Sequence, residues 1–308
     1  MKKIYLLVSI LLITGIVISA CQPKTVKNKY KSVIMSSNEI IDDLVKSIGG
    51  NFIETSIAMR KGNDPHSYNA TEKDIIRITD SSLIIYNGGN LEGRLEWALS
   101  KIGNITPAVA IIDCLPKDKL IYDKEKNSDK KSVNPHFWHD PMLWKTAAHF
   151  IADNLAPMNI VNQQIYFQNE EVFLYILDRL NNYIKEQVQK IPQEKRIIVT
   201  EHDAFAYFGK AYGFETYYLQ GASTSSEISS ADINDLADVL IEKNVTTLFL
   251  EATLPDKNIR LLQSTLKARG HFVKIGGTLY SDTLGYNNNY EAMMRHNIDT
   301  IVNALSSK

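Results

Sequence analysis

Three histidines of this sequence stand beside polar or turn-forming residues, where a histidine buried in a core would not be expected. They are His66, His136 and His202, and Asp282 lies in a similar context further along the chain. Imidazole nitrogens together with a carboxylate oxygen make a good site for a borderline ion such as zinc, or for manganese. The spacing alone is a weak signal, because the four residues are spread over more than 200 positions and form no compact metal motif.

His66, His202 and Asp282 each follow an apolar, strand-like run, whereas His136 lies between a polar loop and a predicted helix. In open α/β sheets, ligands bind beyond the carboxyl ends of the strands. Two lobes that face each other across a cleft could therefore bring two candidate ligands from each half together. The strands that precede these residues are predicted over 52–59, 197–199 and 272–275.

Apolar strands and helices alternate in both halves of the chain, which predicts parallel strands joined by crossover helices in an α/β fold. Ser36 with Glu39, and Thr71 with Asp74, have the spacing of capping boxes and predict helix starts. The further predicted strands cover 32–35, 83–86, 109–112, 214–219 and 247–250, and the further predicted helices cover 204–212, 230–243, 257–269 and 290–305.

The middle of the chain interrupts this alternation. Residues 162–190 contain no glycine or proline and carry apolar residues at helical spacing, and Ile191-Pro192 ends the run. A helix of this length would extend roughly 40 Å, enough to connect two lobes. The predicted organisation is an N-terminal lobe over 31–161, a linker helix over 162–191 and a C-terminal lobe over 192–308.

The N-terminus has the features of an export signal. A short basic start and an apolar run over 1–20 are typical of a secretory signal peptide. Ile18-Ser19-Ala20-Cys21 fits the lipoprotein pattern, in which the cysteine becomes the acylated first residue of the mature chain. The segment 21–30 is polar and lysine-rich, and it is predicted to be a flexible tether. We therefore expect an exported protein anchored through Cys21 to the cell membrane or in the periplasm; the alternative is an N-terminal membrane anchor.

The composition excludes some classes of protein. Of 308 residues, 44% are hydrophobic and 22% are charged, as in a folded globular protein. The formal net charge of -1 gives no electrostatic reason to expect nucleic-acid binding. Cys114 is the only other cysteine, so no disulfide within the chain is expected, and it is interpreted as a small apolar residue of the interior.

Five short segments share their motifs and their order with a known family. They are Asp64-Pro65-His66-Ser67-Tyr68, Asn134-Pro135-His136-Phe137-Trp138, Thr200-Glu201-His202-Asp203-Ala204-Phe205-Ala206-Tyr207-Phe208, Ser223-Thr224-Ser225-Ser226-Glu227 and Leu279-Tyr280-Ser281-Asp282. From about residue 31 to the C-terminus, the sequence resembles the metal-binding receptor lipoproteins of ABC importers, the zinc/manganese family typified by TroA and ZnuA.

The resemblance implies that His66, His136, His202 and Asp282 bind one Zn²⁺ or Mn²⁺ ion as transported ligand. It also implies two similar lobes with mostly parallel sheets, joined by one long rigid helix, with the metal site in the cleft between them. An ABC importer permease is the implied partner, and a monomer is expected.

Two departures from the family leave the physiological ion open. Manganese- and iron-dedicated relatives usually have glutamate where this chain has His202. Zinc-dedicated relatives often carry a histidine- and acid-rich insertion before the second ligand, whereas 117–133 here contains no histidine. His139 is expected at the surface or beside a ligand, because the family set is already complete. Further carboxylates that could orient the ligands are Asp64, Asp140, Asp203, Glu201 and Glu251.

The expected function is binding without catalysis, since four protein ligands leave no open coordination position. The main alternative is a tethered zinc-dependent hydrolase, which requires an exchangeable water and a general base. Glu201 or Glu251 could supply that base. A surface adhesin is a third possibility, which nothing in the sequence supports or excludes.

Overall fold

The computed structural model describes residues 32–59, 61–102, 106–124 and 131–306. The predicted signal peptide, the lipidation site Cys21 and the tether lie outside these residues. Within them, no helix is both long and apolar enough to cross a membrane.

The N-terminal half contains a four-stranded parallel sheet in the order β2-β1-β3-β4. Ile34 in the central strand pairs with Thr55 on one side and Leu83 on the other. The strands are β1 (Val33–Ser36), β2 (Glu54–Ile57), β3 (Leu83–Tyr86) and β4 (Ala108–Ala110), and the helices are α1 (Glu39–Gly49), α2 (Glu72–Thr79) and α3 (Arg94–Ile102).

The first helix starts differently from the prediction. Ser36 is the last residue of β1 and not a cap; Asn38 is the N-cap, and its side-chain oxygen accepts hydrogen bonds from the backbone N–H groups of Ile40 and Ile41, both at 3.0 Å. Asparagine is as good an N-cap as serine. The predicted capping box of Thr71 and Asp74 is confirmed at the start of α2.

Two helices and one hairpin fill the middle of the chain. The long helix α5 (Gln163–Val188) has 26 residues, which corresponds to about 39 Å. Its buried face packs against α4 (Pro141–Leu155), α1 and the last helix of the chain, α9 (Tyr290–Leu305). The antiparallel strands β5 (Tyr122–Lys124) and β6 (Lys131–Val133) were not predicted.

The C-terminal half repeats the parallel arrangement, with β7 paired to β8, β9 paired to β10, and β7 beside β9. The predicted strand over 272–275 is displaced, because Phe272 is 73% exposed and pairing starts only at Lys274. The strands are β7 (Ile197–His202), β8 (Glu215–Gln220), β9 (Thr247–Glu251) and β10 (Lys274–Leu279), and the helices are α6 (Ala206–Tyr212), α7 (Ser230–Glu242) and α8 (Lys257–Ala268).

One hydrophobic cluster extends through both halves, from Ile34 in β1 to Leu305 in α9, and includes Leu177 and Leu180 of α5. Two smaller clusters lie in the N-terminal sheet and in the C-terminal sheet. The long helix therefore contributes to a core that draws residues from both halves.

Candidate metal centre

The four predicted ligands meet at one buried point. Each of His66, His136, His202 and Asp282 offers one ligand atom, and these atoms all lie within 4.8 Å of one another. All four residues are buried, with at most 5% of their surface exposed. His66 lies in the loop after β2, His202 ends β7 and Asp282 follows β10. The carboxyl ends of strands from both halves thus supply three of the four, as the sequence predicted.

Four distances among these groups match the spacing around a tetrahedral ion. Nε2 of His136 lies 3.2 Å from Nε2 of His66 and 3.2 Å from Nε2 of His202. The oxygens of Asp282 lie 3.3 Å from Nε2 of His136 and of His202. Tetrahedral zinc with bonds of about 2.0–2.1 Å separates neighbouring ligand atoms by about 3.3–3.4 Å. The arrangement therefore fits one ion at its centre.

Hydrogen bonds set the tautomers of two of these histidines. Nδ1 of His136 lies 2.9 Å from Oδ1 of Asn134, and the Nδ2 group of Asn134 donates to Asp203. Nδ1 of His202 lies 2.7 Å from a carboxylate oxygen of Glu251. An amide oxygen accepts hydrogen bonds, and a carboxylate oxygen at ion-pair distance favours a protonated ring nitrogen, so both Nδ1 atoms carry the proton. In the neutral rings, the Nε2 lone pairs then face the centre of the site, as metal ligation requires.

Burial lowers the pKa values of two of the four groups, whereas nearby charges determine the pKa values of the other two. Burial lowers the pKa of His66 to about 4 and that of His136 to about 3, so both are neutral near pH 7. Burial also acts to lower the pKa of His202, but the charges of Glu251 and Asp282 outweigh it and raise that pKa well above its usual value. The pKa of Asp282 is held well below its usual value by His202 and His136, against the effect of burial. A cation bound by these four groups would therefore replace a proton on His202.

Asp64 holds the loop of His66 and links it to the C-terminal half. Its Oδ1 accepts the backbone N–H of His66 at 2.9 Å, and its Oδ2 accepts the hydroxyl of Thr224 at 2.6 Å. Gly93 packs on the same loop with a φ of +49°, and a Cβ there would lie 2.6 Å from the carbonyl oxygen of His66. Any larger residue at that position would displace the ligand.

Glu251 is the carboxylate that contacts a candidate ligand most closely. One of its oxygens accepts the backbone N–H groups of Glu201 and His202, at 2.8 and 2.9 Å, and the other faces the ring of His202. Glu201 instead accepts a hydrogen bond from the amide of Asn258 at 2.7 Å. Asp140 accepts from the backbone at the start of α4. The five carboxylates considered from sequence thus have different roles.

The remaining histidines are not part of the cluster. His139 is fully buried, not at the surface, and its Nε2 lies 3.1 Å from the carbonyl oxygen of Ser281, next to Asp282. His149 pairs with Glu170. His271 and His296 contact backbone carbonyl groups elsewhere, those of Val245 and Thr278.

Sequence reasoning did not single out Asn134, which sets the tautomer of His136. Its side-chain oxygen also accepts the backbone N–H of His136 at 3.1 Å. The signal was present in the sequence, because an asparagine side chain often accepts the backbone N–H of the residue two positions later.

Comparison with known proteins agrees with this fold and with a metal-binding role. The model of the family "Zinc-uptake complex component A periplasmic" matches residues 34–304. The chain is 35% identical over 280 residues to the zinc-binding protein TroA of Treponema pallidum, covering 90% of this chain and 89% of that protein. It is 34% identical over 276 residues to the manganese-binding lipoprotein MntA of Bacillus subtilis, covering 88% and 89%.

The structure superposes on that of periplasmic zinc-binding protein TroA from Treponema pallidum with a TM-score of 0.85, covering 89% of this chain and 99% of the other at 35% identity. The chain belongs to the zinc-uptake complex component A family, a family of metal-binding transport receptors. The predicted family and the predicted two-lobed α/β fold are thereby confirmed.

Proposed function

We propose that this protein is an extracytoplasmic receptor that binds one Zn²⁺ or Mn²⁺ ion through His66, His136, His202 and Asp282 and delivers it to an ABC importer permease. One observation carries the proposal: three imidazole nitrogens and a carboxylate, from both halves of the chain, converge within 4.8 Å of one another in a buried site, with four of their distances at 3.2 to 3.3 Å. The names of TroA and MntA, a zinc-binding and a manganese-binding protein, support this class of cargo.

The same geometry favours binding over catalysis. Four protein ligands complete a tetrahedral shell and leave no open position for a reactive water. The two carboxylates that could act as a general base are engaged: Glu251 with His202, and Glu201 with Asn258. These contacts support the binding proposal over the hydrolase alternative, which requires a reactive water and a free general base.

Attachment to a membrane through Cys21 is part of the proposal. It rests on Ile18-Ser19-Ala20-Cys21, and the similarity to the manganese-binding lipoprotein MntA supports it. A monomeric receptor on a lipid tether would reach a permease in the same membrane, with segment 21–30 as the proposed tether.

The domain organisation remains a proposal with the same boundaries, 31–161, 162–191 and 192–308. The position of α5 in the sequence, between the parallel strands of the two halves, and its packing against helices of both halves support its role as a connecting strut.

Metal-dependent stabilisation tests the binding site. An ion that binds only the folded state stabilises it by about 4 kcal/mol at a thousandfold excess over Kd. Zinc or manganese should raise the unfolding temperature of the wild-type protein, whereas His66→Ala, His136→Ala and Asp282→Ala should each lose most of that rise. His149→Ala, a change remote from the cluster, is the control. Full metal shifts in all three ligand variants would refute the assignment.

Cellular accumulation tests delivery. Deleting the protein from its native cells should reduce uptake of zinc or manganese from metal-poor medium, and the wild-type chain should restore it. An equally expressed His136→Ala chain should not. Restoration by that variant would show that uptake does not depend on this site.

A further inference from the structure

The loop that carries Asp282 comes from the C-terminal half but is held by the N-terminal half. Before the ligand, the carbonyl oxygen of Ser281 faces two ring nitrogens, Nε1 of Trp138 and Nε2 of His139, each at 3.1 Å. Both rings are buried, at 1% and 0% exposure. The peptide that joins Ser281 to Asp282 is therefore fixed by a rigid pair of side chains next to the loop of His136.

His139 is suited to hold this carbonyl group. Because a carbonyl oxygen only accepts hydrogen bonds, Nε2 of His139 carries the proton. The ring lies against Phe205 with a centroid distance of 4.6 Å, so its orientation is constrained by packing. An apolar ring of similar size would fill the same volume but would leave one of the two hydrogen bonds to Ser281 unmade.

Glu39, the first residue of α1, holds the other side of the same loop. Its Oε1 accepts the hydroxyl of Thr283, and it accepts the backbone N–H of Leu284 at 3.1 Å. Glu39 is 8% exposed, and its position at the start of a helix favours a negative charge. Neither Glu39 nor His139 belongs to the four-residue cluster.

We propose that His139 and Glu39 are positioning residues for Asp282, which fix the chain before and after it and thereby set how tightly and how long the ion is held. This inference rests on the proposed function. Loss of groups that orient metal ligands typically costs 10- to 100-fold in affinity. The proposed effect on metal affinity acts only through Asp282, so it must disappear when Asp282 itself is replaced.

The test is a zinc competition titration and a zinc dissociation rate, measured on purified full chains. His139→Phe, which keeps a ring but lacks the donor, should weaken binding by about 10- to 100-fold, chiefly through faster dissociation. His139→Gln, which can donate to Ser281, should recover part of the loss. Glu39→Ala should weaken binding by a similar factor, and Glu39→Gln, which keeps an acceptor oxygen, by less.

His271→Phe is the matched control, because His271 also contacts a backbone carbonyl group, that of Val245, at the far end of β9 from the site. It should bind zinc as the wild type does. Urea unfolding of the metal-free variants separates positioning from general destabilisation. A positioning role predicts two changes of different size in each variant. The stabilisation gained on adding zinc should decrease by more than the free energy of unfolding of the metal-free protein does.

Adding His139→Phe to Asp282→Ala should cause no further loss of affinity, because contacting residues in one network are non-additive. Wild-type affinity in both His139→Phe and Glu39→Ala, or an additive loss in the double variant, would overturn the inference. If the wild type itself binds no ion, the proposed function fails. If the wild type binds and Asp282→Ala weakens binding while the positioning variants do not, only this inference fails.

Discussion

Glu251 contacts His202 twice: one carboxylate oxygen lies 2.7 Å from Nδ1 of the ring, and the other accepts the backbone N–H of the same residue at 2.9 Å. The two residues are 49 positions apart and end neighbouring strands, β9 and β7. This pairing fixes the ring and its tautomer. It also places a negative charge beside the one histidine whose pKa is raised well above its usual value.

Zinc binding should therefore release about one proton per ion at neutral pH, because ligands must be deprotonated to bind. The proton comes from His202, since burial already keeps His66 and His136 neutral. Affinity should fall as the pH is lowered through the raised pKa of His202. Calorimetry in buffers with different ionisation enthalpies measures the protons released.

The folding stability of the metal-free protein should have the opposite pH dependence and decrease as the pH rises. A raised histidine pKa stabilises the folded state below the usual pKa of 6.5, and this stabilisation is lost as the pH rises through the folded-state pKa. Glu251→Gln removes the larger of the two charges that raise the pKa of His202 and should reduce both the proton release and this pH dependence. An unchanged proton release in that variant would show that the charge of Glu251 does not hold the proton.

The choice between zinc and manganese should depend on His202. Three imidazoles and one carboxylate favour zinc, which already exceeds manganese in the general affinity order. At equal free concentration, the wild type should bind zinc more tightly than manganese, and His202→Glu should reduce the ratio of zinc affinity to manganese affinity. A tenfold change corresponds to about 1.4 kcal/mol.

Competition titration of both ions on the wild type and His202→Glu measures this ratio. His202→Gln, which offers an amide oxygen without charge, separates the effect of the atom from that of the charge. A ratio that stays constant or shifts toward zinc would show that the geometry imposed by the two halves sets the preference instead.

Metal loss should change the overall dimensions very little. The continuous helix α5 and the core shared by both halves resist hinge bending. Small-angle scattering should show the radius of gyration changing by less than about 1 Å, against about 19 Å for a compact chain of this size. A larger expansion in the metal-free protein would contradict a rigid connection.

Cys21→Ser should release the exported protein from membranes into the soluble exported fraction, because the acylated thiol would be lost. Fractionation of cells that express either form measures the distribution. Ser19→Thr, which keeps the cysteine, is a control for general effects on export. Continued membrane retention of Cys21→Ser would contradict lipid attachment at this residue.

Much of the fold could be predicted from local patterns, but its details depend on contacts over long distances in the chain. The helix over Tyr290–Leu305 was predicted with its observed bounds. The predicted N-cap of α1 was wrong. Ser36 and Asn38 are both good N-cap residues, and the pairing of Ser36 within the sheet leaves Asn38 as the cap. Phe272 was assigned to β10 on its propensity, yet the chain begins to pair only two residues later.

The candidate site, like the fold, was predicted in part from local patterns and depends in part on long-range contacts. Placing His66, His202 and Asp282 at strand ends required only the apolar pattern. Local context singled out three of the seven histidines as candidates, and the family resemblance was needed to assign them as ligands of one ion. The roles of Asn134 and Glu251 depend on their contacts with His136 and His202. The contact between Glu251 and His202 follows from β9 lying beside β7, which no local pattern specifies.

The central claim is that His66, His136, His202 and Asp282 bind a single ion, and X-ray absorption at the zinc edge tests it most directly. The zinc-loaded wild type should contain one zinc per chain, with four nitrogen or oxygen ligands at about 2.0–2.1 Å and the multiple-scattering signal of three imidazoles. His136→Ala should lose one imidazole from that signal or fail to retain zinc. A sulfur ligand at about 2.3 Å, or an unchanged spectrum in the variant, would contradict the account.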